Sequence, residues 1–398
     1  MAEFDLEVVI IGGCGHVGLP LGIVLAGRGV RTAVFDVNKA AVDLVNDAVL
    51  PFDEPDAGPV LARVIADGTF HATTDRAVIS RAACVIVVIG TPVDEHLNPD
   101  IFAVPEALAE LEDVLVDGQL LVLRSTIYPG VTALVEKLVE NSGKSIDVAF
   151  CPERIAEGRA MVELEALPQL VSARTERSFE RAEAVFGRIA DKMIRLAPEE
   201  AELAKLFTNS YRYVKFAIAN QFFMIANEYG LDYERIRSAL TEDYPRAADI
   251  PGAGFAAGPC LFKDAMQLAA FNNNNFTLGH SAMLINEGLP LYLVSRADER
   301  WGLSDKKVGI LGMSFKAGSD DTRASLSYKL KRILRFRSDE VLCTDPYVTT
   351  DDTLLPLEVV LEKSDLLFIG APHPEYRDLV PTQPVVDVWN LLRGGVSV

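Results

Sequence analysis

The first half of the chain alternates short apolar runs with segments whose apolar residues recur every three or four positions. The runs have the length and β-branched content of buried strands, and the segments between them have helical spacing. The predicted strands are Glu7–Ile11, Thr32–Phe35, Cys84–Ile89, Gln119–Leu123 and Ile146–Phe150. Strands alternating with helices over about 190 residues predict an α/β fold with a parallel, doubly wound sheet.

The pattern changes near Pro198. Glu199–Tyr229 contains no Pro or Gly and carries apolar residues at helical spacing, which predicts a helix of about 30 residues. Its apolar residues exceed what one contact face needs, so we expect a homodimer built on this helix. Strands and a helix resume at Lys307–Leu311, Ser325–Phe336, Glu340–Thr344, Asp365–Ile369 and Val385–Val388. We therefore expect three parts, 1–197, 198–300 and 301–398.

Charge and cysteine content narrow the function classes. A formal net charge of −19 argues against a nucleic-acid partner and against an anionic membrane surface. The five cysteines are scattered and form no CxxC pair, so neither a disulfide framework nor a metal site is expected. With no signal peptide and no membrane-length apolar run visible, we expect a cytoplasmic protein.

Residues 13–18 read GxGxxG, directly after a strand and at the start of a helix. Gly13 is expected to permit the tight turn, Gly15 to admit a pyrophosphate, and Gly18 to let helix and strand pack closely. Asp36 ends the next strand 18 residues after Gly18, where its carboxylate can accept ribose hydroxyls and repel a 2′-phosphate. The pattern predicts an NAD site; the alternative is a structural glycine turn with a solvated Asp.

Cys260 lies in the segment Gly258–Asp264, after a stretch rich in Gly and Ala. Lys263 and Asp264 are unusual neighbours for a buried structural cysteine, whereas a nucleophilic thiolate needs a nearby cation or helix N-terminus. We therefore interpret Cys260 as a nucleophile and the other four cysteines as buried apolar residues.

Seven motifs occur in one order along nearly the whole chain: Gly13–Gly18, Gly90–Pro92, Ser125–Thr126, Cys151–Gly158, Lys205 with Asn209, Gly258–Asp264 and Phe315–Arg323. On these motifs the chain resembles the nucleotide-sugar dehydrogenases, the family of UDP-glucose, UDP-N-acetylhexosamine and GDP-mannose 6-dehydrogenases. The resemblance implies two Rossmann-like parallel-sheet domains joined by a long central helix, with the second domain binding UDP.

The resemblance also implies the chemistry: NAD-dependent four-electron oxidation of a sugar CH2OH to a carboxylate, through a thiohemiacetal and a thioester on Cys260. It further implies a role in polysaccharide biosynthesis. The implied catalytic residues are Cys260, Lys205, Asn209, Asp264, Glu153 and Thr126. The implied cofactor-binding residues are Gly13, Cys14, Gly15, His16, Val17, Gly18, Asp36, Thr91, Pro92, Ser125, Thr126, Glu157, Lys263 and Arg323. The implied substrate-binding residues are Glu153, Arg154, Lys205, Asn209, Arg246, Gly254, Gly258, Phe315 and Lys316.

The implied roles have alternatives. Lys205 and Asn209 could form a solvated helix face, Glu153 and Glu157 could be carboxylates at a helix start, and Arg323 could be a surface arginine. Segments such as Asn209–Asn220 and Asn286–Pro290 are similar to the UDP-N-acetylhexosamine branch, so UDP-N-acetylglucosamine or UDP-N-acetylmannosamine is the expected substrate. UDP-glucose comes second and GDP-mannose third. A simple β-hydroxyacid dehydrogenase and an inactive NAD-binding scaffold remain the alternatives of other classes.

Overall fold

The computed structural model describes residues 4–91, 93–94, 99–395 and 398. The chain forms two compact units, residues 1–207 and residues 208–398. Their boundary falls inside the long helix, at neither of the two boundaries expected from the sequence. The three-part division stays a prediction.

The first unit is built on an eight-stranded sheet. Its strands are β1 (Leu6–Ile11), β2 (Thr32–Phe35), β3 (Phe70–Thr73), β4 (Ala82–Val87), β5 (Leu120–Leu123), β6 (Asp147–Phe150), β7 (Gln169–Ser172) and β8 (Met193–Leu196). Their order is β3-β2-β1-β4-β5-β6-β7-β8, with the crossovers of a doubly wound fold. The expectation of a wholly parallel sheet needs one correction, because β7 pairs with β6 in antiparallel orientation.

Both faces of this sheet are buried, as a parallel sheet requires. Successive residues of β1 alternate between two hydrophobic clusters: Val8 and Ile10 belong to one, and Val9 and Ile11 to the other. The helices that cover the sheet are α1 (Gly18–Gly27), α2 (Lys39–Asn46), α3 (Ala57–Ala66), α4 (Ala103–Ala109), α5 (Val131–Asn141), α6 (Ala160–Ala166) and α7 (Glu176–Phe186).

The long helix α8 (Pro198–Glu228) lies within one residue of its predicted bounds at each end. Pro198 is its first residue, a position where a missing amide hydrogen and a fixed φ cost nothing. Among the described residues, none of the helices has both the length and the apolar character needed to cross a membrane.

The second unit holds a four-stranded sheet in the order β10-β9-β11-β12, and all its pairs are parallel. Its strands are β9 (Lys307–Leu311), β10 (Glu340–Thr344), β11 (Leu366–Ile369) and β12 (Val385–Val386). Its helices, after the shared α8, are α9 (Tyr233–Thr241), α10 (Leu261–Phe271), α11 (Thr277–Trp301), α12 (Leu326–Leu334) and α13 (Leu357–Lys363). Val308 and Ile310 pack in one hydrophobic cluster and Leu311 in another, so both faces are covered here too.

Candidate active site

The glycine-rich turn between β1 and α1 differs from the prediction by one residue. Gly12, not Gly13, has the left-handed backbone of the tight turn, with φ of 72°. A Cβ on Gly12 would lie 2.0 Å from the carbonyl oxygen of Val88. Gly13 is needed for a different reason, because a Cβ there would lie 2.4 Å from the Cβ of Val34 on β2. Gly13, the first glycine of the motif, therefore allows close packing against β2, and Gly12 before it makes the turn.

The other two glycines of the motif match the expected geometry. The only atom near a Cβ added to Gly15 would be the oxygen of Gly12, at 3.8 Å, so the backbone is open to a ligand. A Cβ on Gly18 would lie 2.8 Å from Gly13 Cα, so α1 packs directly on the turn. The first turn of α1 contains no acidic residue, which leaves the positive end of the helix available to a pyrophosphate.

Asp36 follows β2 and contacts the glycine turn. Its Oδ2 accepts the amide hydrogen of Cys14 at 3.0 Å, and its Oδ1 accepts that of Asn38 at 2.9 Å. Asp36 is half-buried, and each carboxylate oxygen has a second lone pair for a ligand hydroxyl. Cys14 itself is buried; burial, and then the charge of Asp36, raise its thiol pKa to about 12, so it stays protonated.

His16, which follows Gly15 in the turn, lies beside other loops of the first unit. The His16 ring lies 4.0 Å from the Phe52 ring between centroids, and His16 Nδ1 lies 3.9 Å from Glu157 Oε2. Val17 directly precedes α1 and offers no side-chain cap.

The loops after β4 and β5 are tied together. Thr91 Oγ1 donates to the carbonyl oxygen of Thr126 at 2.6 Å, and Ser125 Oγ exchanges hydrogen bonds with the backbone of Ile89 at 2.8 Å. Thr126 is half-buried. Pro92, expected beside the cofactor, lies outside the described residues. At the carboxyl edge of the sheet, hydroxyl groups therefore order the loops where a doubly wound fold binds ligands.

Glu153 is held by three donors. One is the guanidinium of Arg124, which is fully buried and pairs with Glu153 Oε2. The others are the amides of Arg154 and Ile155, which donate to Oε1 at 2.6 and 3.0 Å. The Arg154 guanidinium donates to the carbonyl oxygen of Pro168. These contacts fix the Glu153 carboxylate in place.

Arg124 was missed by the sequence reasoning. It donates to the carbonyl oxygen of Cys151 at 3.1 Å and to Gln169 Oε1 at 3.0 Å, besides its ion pair with Glu153. The sequence feature that could have identified Arg124 is an arginine at the end of an apolar run, directly before the Ser125–Thr126 motif. A buried charge at such a position needs a partner, and here the partner is a candidate catalytic residue.

Glu54 was missed as well. It is buried and accepts the amide hydrogens of Gly158 at 2.9 Å and Ala160 at 2.7 Å. These donors lie at the start of α6, so Glu54 fixes the loop that carries Glu157. Glu157 precedes α6 and is half-buried, in keeping with the loop position that its motif indicated.

Lys205 and Asn209 lie one turn apart on α8, and only 8% and 4% of their surfaces are exposed. The alternative of a solvated helix face is therefore wrong. Buried polar groups at this spacing need partners, and Asn209 Nδ2 donates to Asp264 Oδ2 at 2.5 Å.

Cys260 is exposed and directly precedes α10, at the end of the helix where a thiolate is stabilised. Its carbonyl oxygen accepts the amide hydrogen of Asp264 at 2.9 Å. Asp264 is fully buried, with Asn209 on one oxygen and Lys263 Nζ 3.5 Å from the other. The second unit thus places an exposed thiol one helical turn before a buried carboxylate that Asn209 and Lys263 flank.

The other four cysteines are buried. Burial raises the thiol pKa to about 12 in Cys84 and Cys151, and to about 11 in Cys343. Together with Cys14 they are apolar packing groups, so Cys260 alone of the five has the exposure that a nucleophile needs.

Phe315 packs against the segment that leads to Cys260. A Cβ on Gly258 would lie 2.7 Å from Phe315 Cδ2, and Gly258 has a left-handed φ of 98°. A Cβ on Gly254 would meet the Trp389 ring at 2.2 Å. Both positions therefore require glycine, one against each aromatic ring.

The remaining predicted cations of the second unit lie on loops. Arg323 is exposed and pairs with Asp321, its Nη2 lying 2.6 Å from Asp321 Oδ2. Lys316 is half-buried beside Phe315, and Arg246 is exposed with its guanidinium 5.9 Å from the Tyr244 ring centroid. The structure does not bring Arg246 to Cys260 among the contacts it shows.

Three family models cover most of the chain in order. The NAD-binding domain of the UDP-glucose/GDP-mannose dehydrogenase family matches residues 6–190, the central domain 199–288 and the UDP-binding domain 309–394. The chain belongs to this family. It is accordingly an NAD-dependent nucleotide-sugar dehydrogenase, an oxidoreductase whose C-terminal domain is of the UDP-binding type.

Similar proteins agree with this membership. A UDP-N-acetyl-D-mannosamine dehydrogenase of Pyrococcus horikoshii is 32% identical over 92% of this chain and 90% of its own length. An NDP-N-acetyl-D-galactosaminuronic acid dehydrogenase of Ralstonia solanacearum is 27% identical over 98% of both chains.

Solved structures of the family have the same fold. The UDP-D-ManNAc dehydrogenase of Pyrococcus horikoshii matches with a TM-score of 0.91 at 27% identity, covering 98% of this chain and 97% of that one. A UDP-glucose dehydrogenase of Pyrobaculum islandicum matches with a TM-score of 0.90 at 25% identity, covering 99% and 97%. The two matches are similar in quality, so the fold does not discriminate between their sugars.

The first unit fits the NAD that the family uses. Gly15 leaves the turn open, α1 presents its positive end, and Asp36 offers oxygens in a half-buried position. An acidic residue after the second strand suits a ribose with a free 2′-hydroxyl.

Proposed function

We propose that this dehydrogenase oxidises the C6 CH2OH of a UDP-N-acetylhexosamine to the carboxylate, through a covalent intermediate on Cys260. The observation that carries the proposal is the exposed Cys260 at the start of α10, one turn before the buried Asp264. Asn209 and Lys263 flank the carboxylate of Asp264. A single oxidation would need no nucleophile, whereas retaining an aldehyde for a second oxidation does.

The proposed reaction balances as alcohol, water and two NAD⁺ going to carboxylate, two NADH and three protons. NAD, when bound, supplies the hydride acceptor for each oxidation. Between the oxidations Cys260 Sγ adds to the aldehyde carbon, and the carbonyl oxygen gains a proton to give a thiohemiacetal. The second oxidation leaves a thioester. Water adds to its carbonyl carbon, the C–S bond breaks, and the thiol is restored.

The residue roles in this proposal follow the family resemblance and the donors available. Lys205 and Asn209 stabilise the developing oxyanion; Asn209 has a second amide hydrogen besides the one given to Asp264. The resemblance assigns to Asp264, and likewise to Thr126, a role in removing the alcohol proton through a water. Glu153 serves as the base for thioester hydrolysis.

The sugar is the finer part of the proposal. The relatives in Pyrococcus horikoshii, Yersinia pestis and Salmonella typhimurium are all named UDP-N-acetyl-D-mannosamine dehydrogenases, which supports the N-acetylmannosamine epimer. UDP-glucose is the second candidate, supported by the Pyrobaculum structure. Epimers differ only in the direction of the C2 substituent, so direct comparison of substrates has to decide.

A panel of UDP- and GDP-sugars tests this function with NADH absorbance as the readout. We expect the highest kcat/KM for UDP-N-acetylmannosamine, with two NADH formed per sugar consumed. One NADH per sugar consumed would mean that oxidation stops at the aldehyde, and it would refute the covalent four-electron route. NAD binding without turnover of any sugar would make the protein an inactive scaffold.

We also propose that the enzyme is a homodimer through α8. Tyr211, Ile218, Phe222, Ile225 and Tyr229 follow one another at helical spacing and are 43–77% exposed. A continuous apolar stripe of this kind is typical of an isologous contact. Light scattering should give a dimer for the wild type and a monomer for Phe222→Asp. Leu284→Asp on α11, at a leucine that is 69% exposed, is the control; an active wild-type monomer would refute the contact.

The cellular setting belongs to the same proposal. Cysteines that form no disulfide with one another and are mostly buried are typical of a reducing compartment, which supports the cytoplasm. A uronate of an N-acetylhexosamine is a building block for polysaccharides, so we assign the product to polysaccharide biosynthesis. Loss of a uronate-containing glycan on deletion of the gene would support this assignment, and an unchanged glycan composition would contradict it.

A further inference from the structure

Two buried side chains meet at the carboxyl edge of the second sheet and have no role in the proposed chemistry. Asp345 directly follows β10, and His373 follows β11, which lie on either side of β9. Their side chains are fully buried, and His373 Nε2 lies 3.0 Å from Asp345 Oδ2. The loop that leaves β9 carries Phe315 and Lys316.

Asp345 binds the start of that loop. Its Oδ2 accepts the amide hydrogens of Met313 at 2.6 Å and Ser314 at 3.0 Å. Its Oδ1 accepts those of Tyr347 at 2.8 Å and Val348 at 3.0 Å. Both carboxylate oxygens of Asp345 therefore accept backbone amides and fix the backbone there.

His373 binds the end of the same loop. The amide of Gly318 donates to His373 Nδ1 at 3.1 Å, so this nitrogen is an acceptor and the ring proton resides on Nε2. That proton is shared between Asp345 Oδ2 and Ser314 Oγ, which lies 3.3 Å away. Ser314 Oγ in turn donates to the carbonyl oxygen of Lys316 at 2.7 Å.

The two side chains thus hold residues 313–318 at both ends, and we call the pair the Asp345–His373 latch. Between the held ends lies Phe315, whose ring fills the space that a side chain on Gly258 would need. Gly258 lies two residues before Cys260. The position of the latched loop therefore sets the position of an aromatic ring against the segment that carries the nucleophile.

We propose that His373 and Asp345 are positioning residues for nucleotide-sugar binding, which fix the 313–318 loop before the substrate arrives. This rests on the proposed function, since it takes the UDP-sugar as the ligand of that loop. A preformed loop does not have to be ordered on binding, so the latch should act on substrate affinity. The ionised state of Asp345 agrees with this: burial would raise its pKa, but the hydrogen bonds from His373 and from the backbone amides of Ser314 and Met313 lower it to about 2.

Two substitutions of His373 each remove a different one of its hydrogen bonds. His373→Gln retains a donor for Asp345 and loses the acceptor for Gly318, whereas His373→Asn retains the acceptor and loses the donor. We expect each to weaken the binding of UDP, measured by titration calorimetry, about tenfold, as for one buried hydrogen bond. KM for the UDP-sugar should rise by a similar factor while kcat changes less than about twofold. His280→Gln on α11 is the matched control and should bind UDP like the wild type.

The binding of NADH, measured by its fluorescence, distinguishes positioning from a general loss of structure. We expect NADH affinity to stay unchanged in both latch variants. Folded variants that bind UDP as tightly as the wild type, or that lose UDP and NADH affinity equally, would overturn the latch. A wild-type protein that binds NADH but no UDP would instead overturn the proposed function and the ligand assigned to the loop.

Discussion

In both sheets of this chain, the first strand in chain order leads into the same kind of turn. β1 and β9 each lead into a glycine with a left-handed backbone, Gly12 with φ of 72° and Gly312 with φ of 95°. The amide of Gly12 donates to the oxygen of Phe35 at 2.9 Å, and that of Gly312 to the oxygen of Thr344 at 2.9 Å. In each sheet the acceptor is the last residue of the next strand along the chain.

The sheets differ in what the following aspartate does. Asp36 is half-buried and accepts one amide of the turn, from Cys14. The Asp345 side chain is fully buried and accepts four amides besides contacting His373. Asp36 therefore keeps lone pairs available to a ligand, while Asp345 uses both its oxygens inside the protein. Equivalent positions in the same turn thus differ in how far the protein itself occupies the carboxylate, and one histidine contributes to that difference.

The largest expected effect tests whether the chemical step depends on the second unit and NADH binding on the first. Cys260→Ser should reduce acid formation by more than about 10³-fold, because a hydroxyl is a poorer nucleophile at neutral pH. NADH affinity should not change, since the glycine turn and Asp36 belong to the other unit. Stopped-flow absorbance and NADH fluorescence measure the two quantities. Cys343→Ser, at a buried thiol, controls for loss of a cysteine; normal uronate production by Cys260→Ser would end the covalent mechanism.

The second prediction tests whether the first unit only binds cofactor. Glu153→Gln keeps the size of the side chain but cannot accept a proton, so thioester hydrolysis should slow by about 10²–10⁴-fold. Rapid mixing should then show a burst of about two NADH per site, and intact mass should show one nucleotide-sugar acyl group on Cys260. Glu157→Gln serves as the comparison carboxylate. A Glu153→Gln enzyme with wild-type turnover, or without burst and adduct, would remove Glu153 from this role.

The third prediction compares the two aspartates directly. A carboxylate beside a 2′-phosphate repels it, so Asp36→Asn should reduce the preference for NAD over NADP by about 10²-fold. Asp345→Asn should leave that preference unchanged and raise KM for the UDP-sugar instead. Steady-state kinetics with both cofactors measure the ratio. Equal kcat/KM for NAD and NADP in the wild type would contradict the role of Asp36 as the ribose ligand.

The sequence predicted the bounds of those strands whose own residues form a clear apolar run. The strands at Thr32–Phe35, Lys307–Leu311 and Glu340–Thr344 were predicted with their observed bounds, because each is a compact and mostly apolar run. The strand at Gln169–Ser172 was not predicted; it is defined by its pairing with β6 and β8. The local pattern of apolar and polar residues does not show which strands pair with one another.

The site shows the same limit. Cys260 and Asp36 were predicted as site residues because a motif surrounds each of them, and their roles stay predictions. Arg124 and the Asp345–His373 latch were not found, because their partners lie 29 and 28 positions away and only the strand order brings them together. The strand order decides which buried polar side chains pair. A local sequence motif therefore identifies at most one residue of such a pair.

The smallest expected effect is a difference in acid stability between two buried aspartates of the second unit. The pKa of Asp345 is lowered to about 2 from 3.8, so its contribution to stability is present above about pH 4 and is lost as the pH falls towards 2. The full contribution corresponds to about 2 kcal/mol. Burial raises the pKa of Asp387, so its linkage has the opposite sign: acid favours the folded state there. Both tryptophans, Trp301 and Trp389, lie in the second unit and report its unfolding.

Urea unfolding followed by tryptophan fluorescence at about pH 5 and about pH 3 should therefore give opposite trends. The free energy of unfolding of the wild type minus that of Asp345→Asn should shrink on acidification. The corresponding difference for Asp387→Asn should grow, because the wild type regains stability as Asp387 is protonated. Equal trends for both variants would mean that Asp345 is not held ionised by His373 and the loop amides. The contrast between an aspartate that orders a loop and one that is proposed to bind a ribose would then have lost its electrostatic basis.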